Sequence, residues 1–292
     1  MSQIRLFVDC TEYQARSLSP LVETAFEEEG YPVASFETDA AAGSWSVSIY
    51  VPAEQVDEVE KRLGQLLSGA AFEGEIGRQE LDNTDWVSQT LADLKPVRAG
   101  RFIVHGSHDR DTLQVHEIAI EIDAGIAFGT GHHGTTAGCL DMLDHCLKAR
   151  RYRNALDLGT GSGVLAIAIA KSLPIHVLAS DIDADSVATA RDNCRLNGVS
   201  NRVEVIRADG FNHRSFFDNC PFDLVVANIL AGPLQKMAHD LARHVARRGT
   251  VILSGLLPHQ KPRIVASYRQ QGLRLERAHL RDGWLTLVLS RP

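Results

Sequence analysis

Residues 154–183 constrain the chain more than any other stretch. They read Asn154-Ala-Leu-Asp-Leu-Gly-Thr-Gly-Ser-Gly-Val-Leu-Ala-Ile-Ala-Ile-Ala-Lys-Ser-Leu-Pro-Ile-His-Val-Leu-Ala-Ser-Asp-Ile-Asp183. The apolar run Ala155 to Leu158 predicts a buried strand. Gly159-Thr-Gly161-Ser-Gly163 predicts a tight turn, Val164 to Ser172 a buried helix, and Ile175 to Ala179 a second strand closed by Asp181. Strand, glycine turn, helix, strand and acid make half of a nucleotide-binding α/β unit. A turn this tight needs backbone angles that a Cβ forbids, and a ligand must approach its main chain closely. Asp181 is placed to accept hydrogen bonds from both ribose hydroxyls of an adenosine. The bland alternative is an α/β turn that binds nothing.

Two adenosine cofactors compete for this pattern. Gly161-x-Gly163-x-x-Ala166, with an acid about 20 residues on, fits the loose dinucleotide fingerprint and hence an NAD-dependent oxidoreductase. Asp157 argues against that. A pyrophosphate binds a helix N-terminus through its negative charge, and a neighbouring carboxylate repels it. A ligand carrying a sulfonium and an α-ammonium is attracted instead. The pattern therefore favours S-adenosyl-L-methionine (SAM).

The 292 residues suffice for two domains. A net charge of −7 speaks against general nucleic-acid affinity. Cys10, Cys139, Cys146, Cys194 and Cys220 show no paired spacing, so reduced thiols are expected. The polar N-terminus lacks a signal-peptide pattern, and no apolar run reaches membrane-spanning length. A cytoplasmic location is expected. Charge is uneven: residues 1–85 hold 17 acids against 5 bases. That surface is either simply solvated or a docking face for a basic protein.

Residues 1–81 predict the order β-α-β-β-α-β of a ferredoxin-like α+β domain. Residues 82–98 predict a helical linker closed by Pro96, and residues 99–292 the α/β body. Phe102 to His105 and Leu113 to Ile122 predict a lead-in hairpin. A glycine-dense stretch, Asp123 to Thr136, then feeds a helix from Ala137 to Lys148. Thr135 or Thr136 is a natural N-cap there, and such a helix start also suits the SAM carboxylate. His132-His133 lacks partners for a metal site, so no metal is expected.

Further on, Val203 to Ile206 predicts a strand that ends near Asp209, either a plain loop acid or a partner for the adenine amino group. Phe222 to Ala227 predicts the strand that delivers Asn228-Ile229-Leu230-Ala231-Gly232-Pro233 to the sheet's carboxyl edge, where α/β sites lie. A helix is expected from Leu234 to Val245, a strand from Thr250 to Ser254 and a helix from His259 to Gln271. Asp282-Gly283 between two apolar runs predicts a C-terminal hairpin. That hairpin suits the class I SAM-dependent methyltransferase version of the Rossmann-like sheet.

Four stretches together resemble the PrmA family, which methylates large-subunit ribosomal protein eleven. They are Asp123 to Thr136, Asp157-Leu-Gly-x-Gly-Ser-Gly163, Asp181-Ile-Asp183 and Asn228-Ile-Leu-Ala-Gly-Pro233. The resemblance spans nearly the whole chain, since that family also carries an N-terminal ferredoxin-like substrate-recognition domain and a linker. It implies that Thr136, Gly159, Asp181 and Asn228 lie on the cofactor or beside the acceptor; Gly161, in the same glycine turn, is expected to bind the cofactor with them. It also implies methyl transfer to lysine ε-amines and an N-terminal α-amine. Many members have proline where Ala124 stands and Thr-His-Pro where this chain has His132-His133-Gly134.

In this reading Asn228 is the catalytic residue, accepting an acceptor N–H through its side-chain oxygen. A capping role at a strand-to-helix turn is the alternative. Ile229-Leu230 after Asn228, in place of Pro-Pro and an aromatic, speaks for an aliphatic amine over a planar amide or base. A monomer with no direct nucleic-acid requirement is expected. The runner-up substrate is another basic or metabolic protein methylated on lysine.

Overall fold

The computed structural model describes residues 3–26, 29, 31, 33–39, 43–70, 72, 74–81, 96–122 and 133–292. The chain divides into two compact units, Met1–Ala92 and Asp93–Pro292.

In the first unit, strand β1 (Gln3–Thr11) runs into helix α1 (Glu12–Ala25). Thr11 starts that helix with a reciprocal cap: its hydroxyl accepts from the Gln14 N–H, and the Gln14 side chain accepts from the Thr11 N–H at 2.9 Å. Strands β2 (Val33–Asp39) and β3 (Ser44–Pro52), helix α2 (Val56–Gly69) and strand β4 (Gly77–Leu81) follow. The pairs are antiparallel, in the order β2-β3-β1-β4. This is the ferredoxin-like split unit, as expected. Alternation along the strands decides its faces. Leu6, Val8, Val47 and Ile49 pack with Leu18, Val22, Val59 and Leu63 of the two helices. On the opposite face Arg5 donates to Ser46, Ser48 and Gln79.

The second unit opens with β5 (Val97–Ala99), β6 (Phe102–His105) and β7 (Ile118–Glu121). Two expectations need correction here. Val97 and Arg98 belong to a strand, not to a helical linker; residues 82–95 lie outside the described residues. The expected hairpin is also mis-paired. β6 runs antiparallel to β5, through the short Gly100-Arg101 turn, and parallel to β7. The segment between β6 and β7 is long enough for a crossover and folds part of its length, Ser107–Thr112, into a 3-10 helix.

The body continues with α3 (His133–Ala149), β8 (Asn154–Leu158), α4 (Val164–Ser172), β9 (His176–Asp181) and α5 (Ala184–Leu196). Then come β10 (Val203–Arg207), α6 (Arg214–Asn219), β11 (Phe222–Asn228), α7 (Ala231–Lys236) and α8 (Ala238–His244). β12 (Val245–Leu256), α9 (Lys261–Gln270), β13 (Arg274–Arg281) and β14 (Trp284–Ser290) close the chain. The expected helix Leu234 to Val245 is in fact α7 and α8, broken at Met237. It starts earlier because Pro233 is tolerated in a first turn. Helix α6 was not expected.

The seven strands lie in the order β10-β9-β8-β11-β12-β14-β13. Their pairs are parallel from β10 to β12, and β14 pairs antiparallel with both β12 and β13. Apolar layers cover both faces. Leu140, Leu143, Ile167 and Ala190 belong to one; Leu234, Leu241, Ile264 and Tyr268 belong to the other. Among the described residues no helix is long and apolar enough to cross a membrane.

Helix α3 lies close against the C-terminal hairpin. A Cβ on Gly134 would stand 2.8 Å from Trp284 Cδ1, and one on Gly138 would stand 2.6 Å from Thr286 Oγ1. These glycines are one helical turn apart, so they clear a single track for β14. Gly138→Val should lower stability by about 1–3 kcal/mol through overpacking, read as a lower urea midpoint at unchanged slope.

Candidate active site

Strand β8 ends in Asp157 and Leu158, and the turn Gly159-Thr160-Gly161-Ser162-Gly163 carries the chain into α4. Gly159, Gly161 and Gly163 have φ of 71°, 53° and 87°, which only glycine adopts freely. The Gly159 and Thr160 N–H groups both donate to the Ser180 carbonyl, at 2.8 and 2.9 Å, so the turn folds against the end of β9. A Cβ on Gly159 would overlap the Ile229 side chain.

Asp157 is completely buried. Its Oδ2 accepts from the Thr160 hydroxyl at 2.6 Å and from the Ala166 N–H at 3.0 Å. Burial pushes its pKa up to about 6, against those two hydrogen bonds; the nearby Asp181 charge adds to the rise. The carboxylate stands at the end of β8 beside the helix start, as expected; its complete burial was not legible in the sequence. Asp157 lies inside the turn and holds it in shape. Its charge still disfavours a pyrophosphate at this helix start.

Asp181 lies at the rim. Its Oδ2 accepts from the Gly161 N–H at 2.8 Å and its Oδ1 from the Asp183 N–H at 3.1 Å. A carboxylate has about four acceptor directions, so capacity remains for two ribose hydroxyls. The following Ile182 is 60% exposed and offers apolar surface beside the acid. The Ala208 N–H donates to the Asp181 carbonyl, which brings Asp209 to the same rim.

Asn228 ends β11, the strand next to β8. Its Nδ2 donates to the Thr135 and Thr136 hydroxyls, at 3.3 and 3.4 Å. Both threonines lie inside the first turn of α3 and not at an N-cap, because the helix already begins at His133. Their hydroxyls instead meet a strand end across the site. Residues 123–132, which include the rest of the glycine-dense stretch, Ala124 and His132, lie outside the described residues. Beneath Asn228, the buried Ser254 hydroxyl donates to the Thr135 carbonyl at 3.2 Å and pairs with the Thr286 hydroxyl at 3.0 Å. Cys139, also wholly buried, has its thiol pushed up to about 12 by burial and is no nucleophile.

The site thus brings Gly159, Gly161 and Asp181 together around the turn, and Thr136 and Asn228 together one strand away. Sequence reasoning missed Thr160, Ser180 and Ser254, and gave Thr135 only as a cap. Ser180 directly precedes Asp181 and Ser254 ends an expected strand, but nothing local marks either as part of a site.

A bound adenosine donor fits these residues on two observations. Two buried polar atoms flank the turn without a hydrogen-bond partner among the described residues, Asp157 Oδ1 and Ser180 Oγ. Asp181, at the rim, also keeps acceptor capacity beyond the Gly161 and Asp183 N–H groups.

Strand order, glycine turn and rim acid together define a class I SAM-dependent methyltransferase. Residues 13–292 match the family described as Ribosomal protein L11 methyltransferase (PrmA). The chain is 49% identical to the ribosomal protein L11 methyltransferase of Rhizobium rhizogenes over 292 residues, all of both chains. It is 50% identical to the protein of that name from Agrobacterium fabrum, again over 292 residues and the whole of both. The crystal structure of ribosomal protein L11 methylase from Lactobacillus delbrueckii subsp. bulgaricus superposes with a TM-score of 0.59 at 29% identity, covering 68% of this chain and 99% of that one. The chain belongs to the ribosomal protein L11 methyltransferase (PrmA) family.

Because the folded-state pKa of Asp157 is raised, its favourable contribution is complete below the unfolded value near 3.9 and is lost as pH rises through about 6. Without SAM, wild type should lose on the order of 2 kcal/mol relative to Asp157→Asn between pH 4 and 7, measured by urea denaturation across that range. In calorimetry, SAM should give binding heat and NAD none. Asp181→Ala should weaken SAM by roughly tenfold to a hundredfold, since it removes hydrogen bonds to a charged acceptor.

Proposed function

We propose that this enzyme transfers methyl groups from SAM to lysine ε-amines, the N-terminal α-amine, or both, of ribosomal protein L11. Family membership supports the substrate. The observation that carries the chemistry is the orientation of the Asn228 amide. Its nitrogen is spent on Thr135 and Thr136, so its oxygen is the group left to accept a hydrogen bond.

Bound SAM supplies an already activated methyl group on a sulfonium. Thr136, Gly159, Gly161 and Asp181 are the residues proposed to hold it, with Asp181 on the ribose. The remaining work is alignment and protonation state. A free lysine amine has a pKa near about 10.4, and desolvation at the site lowers it toward the neutral, nucleophilic form. The Asn228 oxygen accepts one N–H and so aims the nitrogen lone pair. No charged side chain is needed as a base, since water takes the proton after alignment.

The acidic first unit, with 17 acids against 5 bases in residues 1–85, is proposed to dock the basic protein substrate. Its charge favours encounter and orientation more than affinity. The enzyme is proposed to act as a cytoplasmic monomer without a direct nucleic-acid requirement.

Purified enzyme with labelled SAM should label ribosomal protein L11, and mass spectrometry should place the label on amines. An unlabelled protein would sink this reading. Asn228→Ala should lower kcat by roughly a hundredfold or more while the calorimetric Kd for SAM stays near wild type, the signature of an interaction made mainly in the transition state.

A further inference from the structure

Asn228 is followed by Ile229 and Leu230, then by α7, whose start has no side-chain cap. The local chain therefore does little to hold the peptide after Asn228. Tertiary contacts do so from two sides. A Cβ on Gly159 would overlap the Ile229 Cγ2 methyl, so that methyl rests on the main chain of the glycine turn. On the other side, a Cβ on Gly255 would overlap the Ile229 carbonyl oxygen and stand 2.8 Å from its carbonyl carbon and 3.2 Å from its nitrogen. Gly255 has a φ of 78° and directly follows Ser254, the register partner of Asn228. The Ile229 side chain also packs against the apolar layer below.

We propose that Ile229 is a positioning residue that sets the distance between the SAM-binding turn and the Asn228 amide. This rests on the reading of Asn228 given above. In-line transfer tolerates little misplacement; about 1 Å can cost roughly a hundredfold in rate. The Cγ2 methyl bears on Gly159, and Gly255 blocks the peptide from moving the other way. A shift of the turn is thereby passed to the residue carrying the acceptor's hydrogen-bond partner. Gly159 and Gly255 both have a positive φ, which favours glycine, and a side chain on either would also collide with Ile229.

The test uses the full-length enzyme with SAM and ribosomal protein L11, and reads SAM Kd by calorimetry, kcat, KM and melting temperature. Ile229→Ala removes the methyl; it should bind SAM within about threefold of wild type yet lose about tenfold or more in kcat, well below its melting temperature. Ile229→Val keeps Cγ2 and should hold kcat within about threefold. Wild-type kcat in Ile229→Ala, or a valine variant as poor as the alanine one, would each overturn the proposal. Asn228→Ala separates the two levels. If it is inactive while Ile229→Ala is normal, only the positioning role falls. If it turns over like wild type, the acceptor-site reading falls, and this proposal with it.

Discussion

The buried Asp157 carboxylate is the fixed point of the body. It joins the end of β8, the hydroxyl of the turn residue Thr160 and the N–H of Ala166 in the first turn of α4. That N–H is one of the helix-start donors that have no partner within the helix. A carboxylate removed from water is costly unless it is hydrogen-bonded, and the positive end of α4 offsets part of that cost. Asp181 does the matching work from outside by taking the Gly161 N–H. The turn is thus shaped by one acid within and one at the rim. A residue without a side-chain acceptor in place of either would leave backbone donors without their partner.

The acceptor side follows the same logic with hydroxyls. Ser254 and Thr286 are buried and pair with each other, and Ser254 also holds the carbonyl of Thr135. Thr135 and Thr136 in turn receive the Asn228 amide. Buried polar groups left single would be expensive; linked, they specify one arrangement. The antiparallel β14 is therefore more than a way to end the sheet. It carries Thr286 to Ser254, and through them the C-terminal hairpin reaches the site.

Elements with strong local signals came out where the residues placed them. Helix Val164–Ser172 has the bounds its apolar run predicts, and the β-α-β-β-α-β order of the first unit follows from alternation, apolar spacing and caps. Pairing was less legible. Phe102–His105 has an apolar pattern compatible with either neighbour, and whether β7 lies parallel or antiparallel to it depends on how the chain between them folds. Thr135 and Thr136 carry the chemistry of a cap. Sequence cannot show that the helix already begins at His133 and that those hydroxyls meet Asn228 across the site.

By itself the sequence determined the donor turn, its rim acid and the strand that ends in Asn228. Those features rest on short-range sterics and on the two-residue and 3.6-residue periods of strands and helices. Only the tertiary structure decided that Asp157 lies within the turn, that Asn228 spends its nitrogen on threonines up to 93 residues away, and that Ile229 sits between Gly159 and Gly255. The reason is physical: which group a buried polar atom pairs with, and which surface fills the space over a glycine, depend on neighbours that only folding brings together.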